Sequence, residues 1–157
     1  MLMLASNFSG FGVMVPEQPL QPVIIETIEV SPREDKKVLI NRNAKVEEYV
    51  RNYFSDIPIL VEVAKCESRF RQYNNESGGV LRGEINSLDR GVMQINEYYH
   101  NEDSEKLGFN ILTLEGNAAY ARYLYEKYGV KPWNSSSKCW SKTTAYSEYK
   151  TDELAMK

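Results

Sequence analysis

A single histidine, His100, stands among 157 residues, and the chain holds only two cysteines. So small a set offers no metal-ligand cluster and no credible Ser-His-Asp arrangement. His100 follows Tyr98 and Tyr99 without partner groups and reads as a surface or packing residue. No Gly-rich phosphate loop is present, and no cofactor is expected. No run of about eighteen apolar residues occurs, so no membrane-spanning helix is expected. A basic excess is lacking too: 19 Lys and Arg face 22 Asp and Glu, for a net charge of −3. Without a basic face, nucleic acid is not an expected partner.

What is present fits one soluble globular domain. Hydrophobic residues make up 42% and charged residues 26%, enough for a sizeable core. A monomer is expected. The 11 tyrosines are many for this length, and flat amphipathic rings suit either sugar faces or half-buried positions. Residues 1–40 read as an extended or disordered arm. Met1 to Val15 is moderately apolar but has no Lys or Arg, so the basic start of a secretory signal is missing. It reads either as a worn export signal or anchor remnant, or as an ordinary flexible terminus. Pro16, Pro19 and Pro22 imply an extended linker, and Val23 to Val30 is β-prone.

The chemistry concentrates between Ile57 and Asn96. Apolar residues at 57, 60, 61, 63 and 64 predict a mostly buried helix, with Asp56 as its N-cap and Pro58 in its first turn. Glu67 then falls in the last turn. There the negative end of the helix dipole and apolar neighbours both disfavour an ionised carboxylate. A carboxyl kept protonated near neutral pH is what protonation of a glycosidic oxygen requires. Taken alone, Glu67 reads more readily as a solvated residue on a last turn, and the surrounding residues reverse that reading. A helix over Ala44 to Phe54 precedes it, forming a helical corner at Ser55-Asp56. After it, Asn74 to Gly79 is a turn cluster, Val80 to Ile85 is β-compatible, and a small hairpin or irregular β-lobe is predicted.

Glu67-Ser68-x-Phe70, followed by Asp89-x-Gly91-Val92-Met93-Gln94-Ile95-Asn96, resembles the active-site signature of the lysozyme superfamily. The Glu-Ser pair with Gly-Val-Met-Gln-Ile resembles soluble lytic transglycosylase (SLT-type) domains. Ser87-x-Asp89-x-Gly91-x-x-Gln94-Ile95-Asn96 resembles a segment of chicken-type lysozymes. The likeness spans about residues 57–140 and is sharpest at 66–70 and 89–96. It implies an α+β, mostly α, lysozyme-like fold with a small β-hairpin lobe. It also implies cleavage of the β-1,4 bond between N-acetylmuramic acid and N-acetylglucosamine in peptidoglycan, outside the cytoplasm.

Glu67 would be the acid/base. Asp89 is either a second catalytic carboxylate, giving a retaining lysozyme, or a turn residue, leaving Glu67 to act alone in the lytic reaction. A third possibility is a cleft that binds glycan without cutting it. Ser68, Met93, Gln94, Asn96, Tyr120, Tyr123 and Trp133 are the candidate substrate contacts. The Ala-Tyr-Asn-Ala-Gly segment usual in SLT-type domains is absent, and Lys131 to Trp140 stands in its place. Trp133 or Trp140 could then supply a stacking surface.

Asn101 to Leu107 predicts a short helix. Thr113 predicts the N-cap of another, running to Tyr128 and stopping at Gly129, with Leu114, Ala118, Ala121, Leu124, Tyr125 and Tyr128 facing inward. The two cysteines allow one pairing, Cys66 with Cys139; the alternative is two separate buried thiols. The catalytic domain is placed at 41–141, and 142–157 reads as a polar, partly helical tail.

Overall fold

The computed structural model describes the backbone of residues 32–155, with side chains from residue 42 onward. Met1 to Val15 and the β-prone Val23 to Val30 lie outside the described residues. Within them the chain is mostly helical, with one small antiparallel sheet. Helices α1 (Pro32–Tyr53) and α2 (Pro58–Ser68) precede strands β1 (Asp89–Arg90) and β2 (Ile95–Asn96). Helices α3 (Glu97–Lys106) and α4 (Leu114–Tyr128) follow. A 3-10 helix (Lys131–Ser136), α5 (Ser137–Trp140) and α6 (Thr144–Ala155) complete the order.

Helix α1 begins well before the expected Ala44. Proline is well placed at the first helical position, and no Gly or Pro interrupts residues 33–53. It contributes Val46 and Val50, joined by Phe54 just past its end, to a core shared with Leu60, Val63 and Ala64 of α2. Ala118, Ala121 and Leu124 of α4 and the two tryptophans complete the centre of that core.

The corner between α1 and α2 is capped differently from the expectation. Asp56 is not the N-cap of α2; Ile57 holds that place, with no side-chain cap. Asp56 instead forms a fork with Arg122 of α4, at 2.7 and 2.8 Å. The guanidinium also donates to the carbonyl of Tyr53 and holds the Asp56 carboxyl down to about 2. Charge pairing across the corner has won over local capping, because a bidentate guanidinium is the stronger partner.

The lobe between α2 and α3 holds the expected small antiparallel pair, but not at the β-compatible run. Val80 to Ile85 forms no strand: Val80 and Arg82 make isolated bridges to Tyr73 and Arg90, and Ile85 is fully exposed. The paired strands lie later, with Asp89 opposite Asn96 and Arg90 opposite Ile95. Between them runs a turn, Gly91–Gln94, sunk into the interior. Val92 and Met93 are fully buried, so their backbone groups need protein partners. The partners come from distant side chains. Gln72 Oε1 accepts from Val92 N, and Asn117 Oδ1 from Met93 N. Ser68 Oγ donates to Val92 O, and Trp133 Nε1 to Met93 O. Asn117 Nδ2 also donates to the carbonyls of Arg90 and Ile111.

Helix α3 starts before the expected Asn101, because Asn96 Oδ1 caps it by accepting from Tyr98 N. Helix α4 matches its expected bounds, with Thr113 Oγ1 accepting from Gly116 N and Gly129 ending it. Its inner face differs in detail. Asn117 and Tyr120 are buried, Tyr125 is half-buried, and Tyr128 is exposed. Gly116 is required by space, since a Cβ there would meet Asn110 O at 2.1 Å.

The chain after residue 141 is more than a tail. Tyr146 and Tyr149 of α6 pack against the core. Cys66 and Cys139 form a disulfide, tying α2 to α5 across 73 residues. In the chain-entropy model, closing such a loop stabilises by about 4 kcal/mol. The Cys66→Ser/Cys139→Ser double variant is expected to lose about that much in urea denaturation. Asn117→Ala, which strands Met93 N and the Arg90 and Ile111 carbonyls, should cost about 2–4 kcal/mol in the same assay. A loss below about 1 kcal/mol there would show that the buried turn is held by other groups.

Candidate active site

Helix α2 ends at Ser68, and Glu67 therefore projects from its last turn, half-buried, as expected. Beyond it the backbone turns left-handed twice, at Arg69 (φ 56°) and Phe70 (φ 58°). Gln94, with φ 49°, is the other non-glycine residue of positive φ among the described residues. For a bulky residue such as Phe70 this conformation is costly, of order 1–3 kcal/mol. Burial of the Phe70 ring, with the Arg51 guanidinium 5.0 Å from its centroid, holds it there. Arg69 and Gln94 line one cleft.

That cleft, of about 520 Å³, contains Glu67, Asp89 and Gln94. Its basic side carries Arg69, Arg71 and Arg82, and its outer wall includes Glu84 and the exposed Ile85. Ser135 and Ser136 close the other side. Glu67 Oε1 accepts a hydrogen bond of 2.6 Å from Ser136 Oγ. Burial raises the Glu67 carboxyl above its ordinary value; the Ser136 bond opposes this, and the Asp89 charge adds to it. The site thus favours a carboxyl that keeps its proton to higher pH than a free glutamate.

Asp89 lies in β1, where its Oδ1 accepts from Asn96 Nδ2 at 2.7 Å across the strand pair. It neither folds back onto its own backbone nor leaves the cleft. Gln94 donates from Nε2 to Gly91 O at 2.8 Å, and its side chain also borders Gly83.

Ser68 borders the cleft too but is bound into the fold, and the remaining expected contacts are placed elsewhere. Ser68 is 2% exposed; its hydroxyl serves Val92 O and Ala64 O and accepts from Arg71 N. Its proton is spent on these backbone carbonyls, and it fastens the helix end. Met93 and Tyr120 are core residues, with the Tyr120 hydroxyl 3.1 Å from His100 Nδ1. Trp133 is buried too, its indole spent on Met93 O, so it offers no stacking surface. Tyr123 stacks on Tyr120 and does not line the cleft of Glu67. Asn96 is occupied by Asp89 and by capping α3.

Sequence reasoning missed Ser136. It sits in the run Ser135-Ser136-Ser137, which looks like ordinary loop. The signal that could have found it is the cysteine pair, since joining Cys139 to Cys66 brings residue 136 beside residue 67. Gln72, which helps hold the buried turn, carried no signal because its partners are backbone groups.

Comparison with known proteins gives no match to a family model, a curated protein or a solved structure.

A group whose folded carboxyl titrates above its unfolded value stabilises the fold below the unfolded value, and that contribution is lost as pH rises through the folded one. Glu67→Gln, which cannot ionise, is therefore expected to melt higher than wild type near pH 7. The gap should close as pH falls below about 4, where both side chains are neutral. A gap independent of pH would show that Glu67 is solvated like a surface glutamate.

Proposed function

We propose that this protein is a peptidoglycan-cleaving lytic transglycosylase in which Glu67 serves first as acid and then as base. The observation that carries the reading is the setting of Glu67. It is a half-buried carboxyl with a raised titration, at a helix end, in a cleft with a second carboxylate. The resemblance of Glu67-Ser68-x-Phe70 and Asp89-x-Gly91-Val92-Met93-Gln94-Ile95-Asn96 to the lysozyme superfamily supplies the substrate class. Backbone strain gathered at Arg69, Phe70 and Gln94 supports the same location, since such strain collects at functional sites.

In this reaction Glu67 gives its proton to the glycosidic oxygen as the C–O bond breaks. The carboxylate then takes the proton from the 6-hydroxyl of the muramic acid, whose oxygen closes onto its own anomeric carbon. The products are a 1,6-anhydro end and a new hydroxyl end, and Glu67 is returned protonated. Gln94 borders the cleft and is neutral, with a carbonyl oxygen suited to an acetamido or hydroxyl donor. The disulfide suits an oxidising compartment, which accords with action at the cell wall. No helix among the described residues is long and apolar enough to cross a membrane.

A second reading, a retaining lysozyme, is favoured by one observation. Asp89 faces the same cleft, and its charge acts on Glu67. There Asp89 would hold or attack the sugar cation, and water would complete hydrolysis. A cleft that binds glycan without cutting it is the third.

Incubation with purified peptidoglycan and mass spectrometry of the released muropeptides separates the three. Wild type should release anhydro ends, and Glu67→Gln should lose at least about a hundredfold in rate. Asp89→Asn should lose less than about tenfold in the lytic reaction and much more in the hydrolytic one. Reducing ends would favour hydrolysis. Retention of glycan without turnover would leave only binding.

A further inference from the structure

Three polar atoms surround Ser136 Oγ: Glu67 Oε1 at 2.6 Å, Trp140 Nε1 at 2.9 Å and Trp133 O at 3.1 Å. A hydroxyl has one proton to give and two lone pairs to fill. The indole N–H of Trp140 can only donate, and its ring is 2% exposed, so one lone pair is permanently taken. The Trp133 carbonyl can only accept. One proton and one lone pair are then left for two neighbours. Glu67 is the neighbour whose needs change with its charge. Ionised, it can only accept, and the hydroxyl proton must point at it. Protonated, it can donate into the open lone pair, and the hydroxyl proton is free to turn to Trp133 O. The protonated arrangement fills every position around Oγ, the ionised one leaves a lone pair open and Trp133 O without the hydroxyl proton, and neither requires a heavy atom to move.

We infer that Ser136 is a positioning residue that holds Glu67 in both protonation states, turning its hydroxyl between the Glu67 carboxylate and the Trp133 carbonyl. The inference rests on reading Glu67 as an acid/base, a group that gives a proton and takes one back in each turnover. When Glu67 protonates the leaving sugar oxygen, its O–H gives up the bond to Ser136 Oγ, and the Ser136 proton swings to the new carboxylate. When Glu67 recovers a proton from the attacking hydroxyl, it swings back. Ser136 is neither consumed nor ionised. A partner that could only accept would oppose the base form, and one that could only donate could not receive the acid's proton. Serine offers both, and Trp140 fixes where it stands.

The other charged groups bordering the cleft are Arg69, Arg71, Arg82, Glu84 and Asp89, with Lys138 exposed on α5. Ser136→Ala leaves all of them in place. Loss of the Ser136 bond, which holds the Glu67 titration down, should move that titration upward. This is read directly by carbon-detected NMR of the glutamate carboxyls, with Glu67 assigned by comparison with Glu67→Gln. On peptidoglycan, Ser136→Ala should lower kcat about tenfold with KM within about twofold, and shift the alkaline limb of the pH profile upward. Ser136→Thr keeps the hydroxyl and should restore both the titration and the rate. A titration unmoved in Ser136→Ala, or moved equally in Ser136→Thr, overturns the assignment even if glycan is cut. Conversely, the expected titrations in a protein that cuts no glycan leave the Ser136 assignment standing and remove the peptidoglycan reading.

Discussion

The buried turn at Gly91–Gln94 is the constraint on which the rest of the structure depends. A turn inside a core exposes peptide groups to an apolar surrounding, and each one left without a partner costs about 1–3 kcal/mol. Here the partners are Gln72, Asn117, Ser68 and Trp133, drawn from the lobe, from α4, from the end of α2 and from the 3-10 helix. Satisfying one short turn therefore fixes the relative positions of nearly every element around the cleft. Gly91 is needed twice over. Its φ is +68°, and a Cβ would meet Gln72 Oε1 at 2.5 Å. A side chain at 91 would both strain the backbone and push away the amide that holds Val92.

The same turn explains how β1 and β2 form with only two residues each. Strands so short have little stability of their own. They persist because the turn joining them is anchored from outside, and because the Asp89–Asn96 side-chain bond closes the pair. Asp89 is thus held in the cleft by a structural bond from a residue that also starts α3. One carboxylate position serves the lobe, the helix and the electrostatics of Glu67 together.

Part of this was legible in the amino-acid sequence. The helix carrying Glu67 in its last turn, the helix from Leu114 to Tyr128 and its cap at Thr113 follow from periodicity and capping, which are local. The carboxyl niche followed too, since a helix end and apolar neighbours act through nearby residues. What stayed hidden was long-range. Asp56 looked like a cap because Arg122 is distant in sequence, yet a guanidinium fork outcompetes a single capping bond. Met93, Tyr120 and Trp133 looked like sugar contacts because apolar and aromatic residues suit a ligand or a core equally well. Ser68 looked polar and available, but a buried carbonyl at Val92 had already claimed it. The β-compatible Val80 to Ile85 makes only single bridges, to Tyr73 and to Arg90 of β1, and its end at Ile85 projects into solvent.

The niche of Glu67 poses a physical problem, because burying a carboxyl near neutral pH works against folding, and helix ends fray before helix middles. Left alone, the end of α2 would open and let the group ionise in water. The residues on either side prevent it. Cys66 is bonded to Cys139, and Ser68 is tied to Val92 O at 2.8 Å. The chain is therefore clamped one residue before and one residue after the carboxyl, once covalently and once through the buried turn. Fraying would have to stretch the first clamp and break the second, exposing a carbonyl that has no other partner in the interior. The left-handed pair Arg69-Phe70 then turns the chain away, and the buried Phe70 ring prevents that turn from relaxing into another helical residue. Freedom at position 67 is reduced to the side-chain torsions of Glu67, and the Ser136 hydroxyl limits those. An unfavourable carboxyl can be kept in place because the cost of releasing it is higher than the cost of burying it.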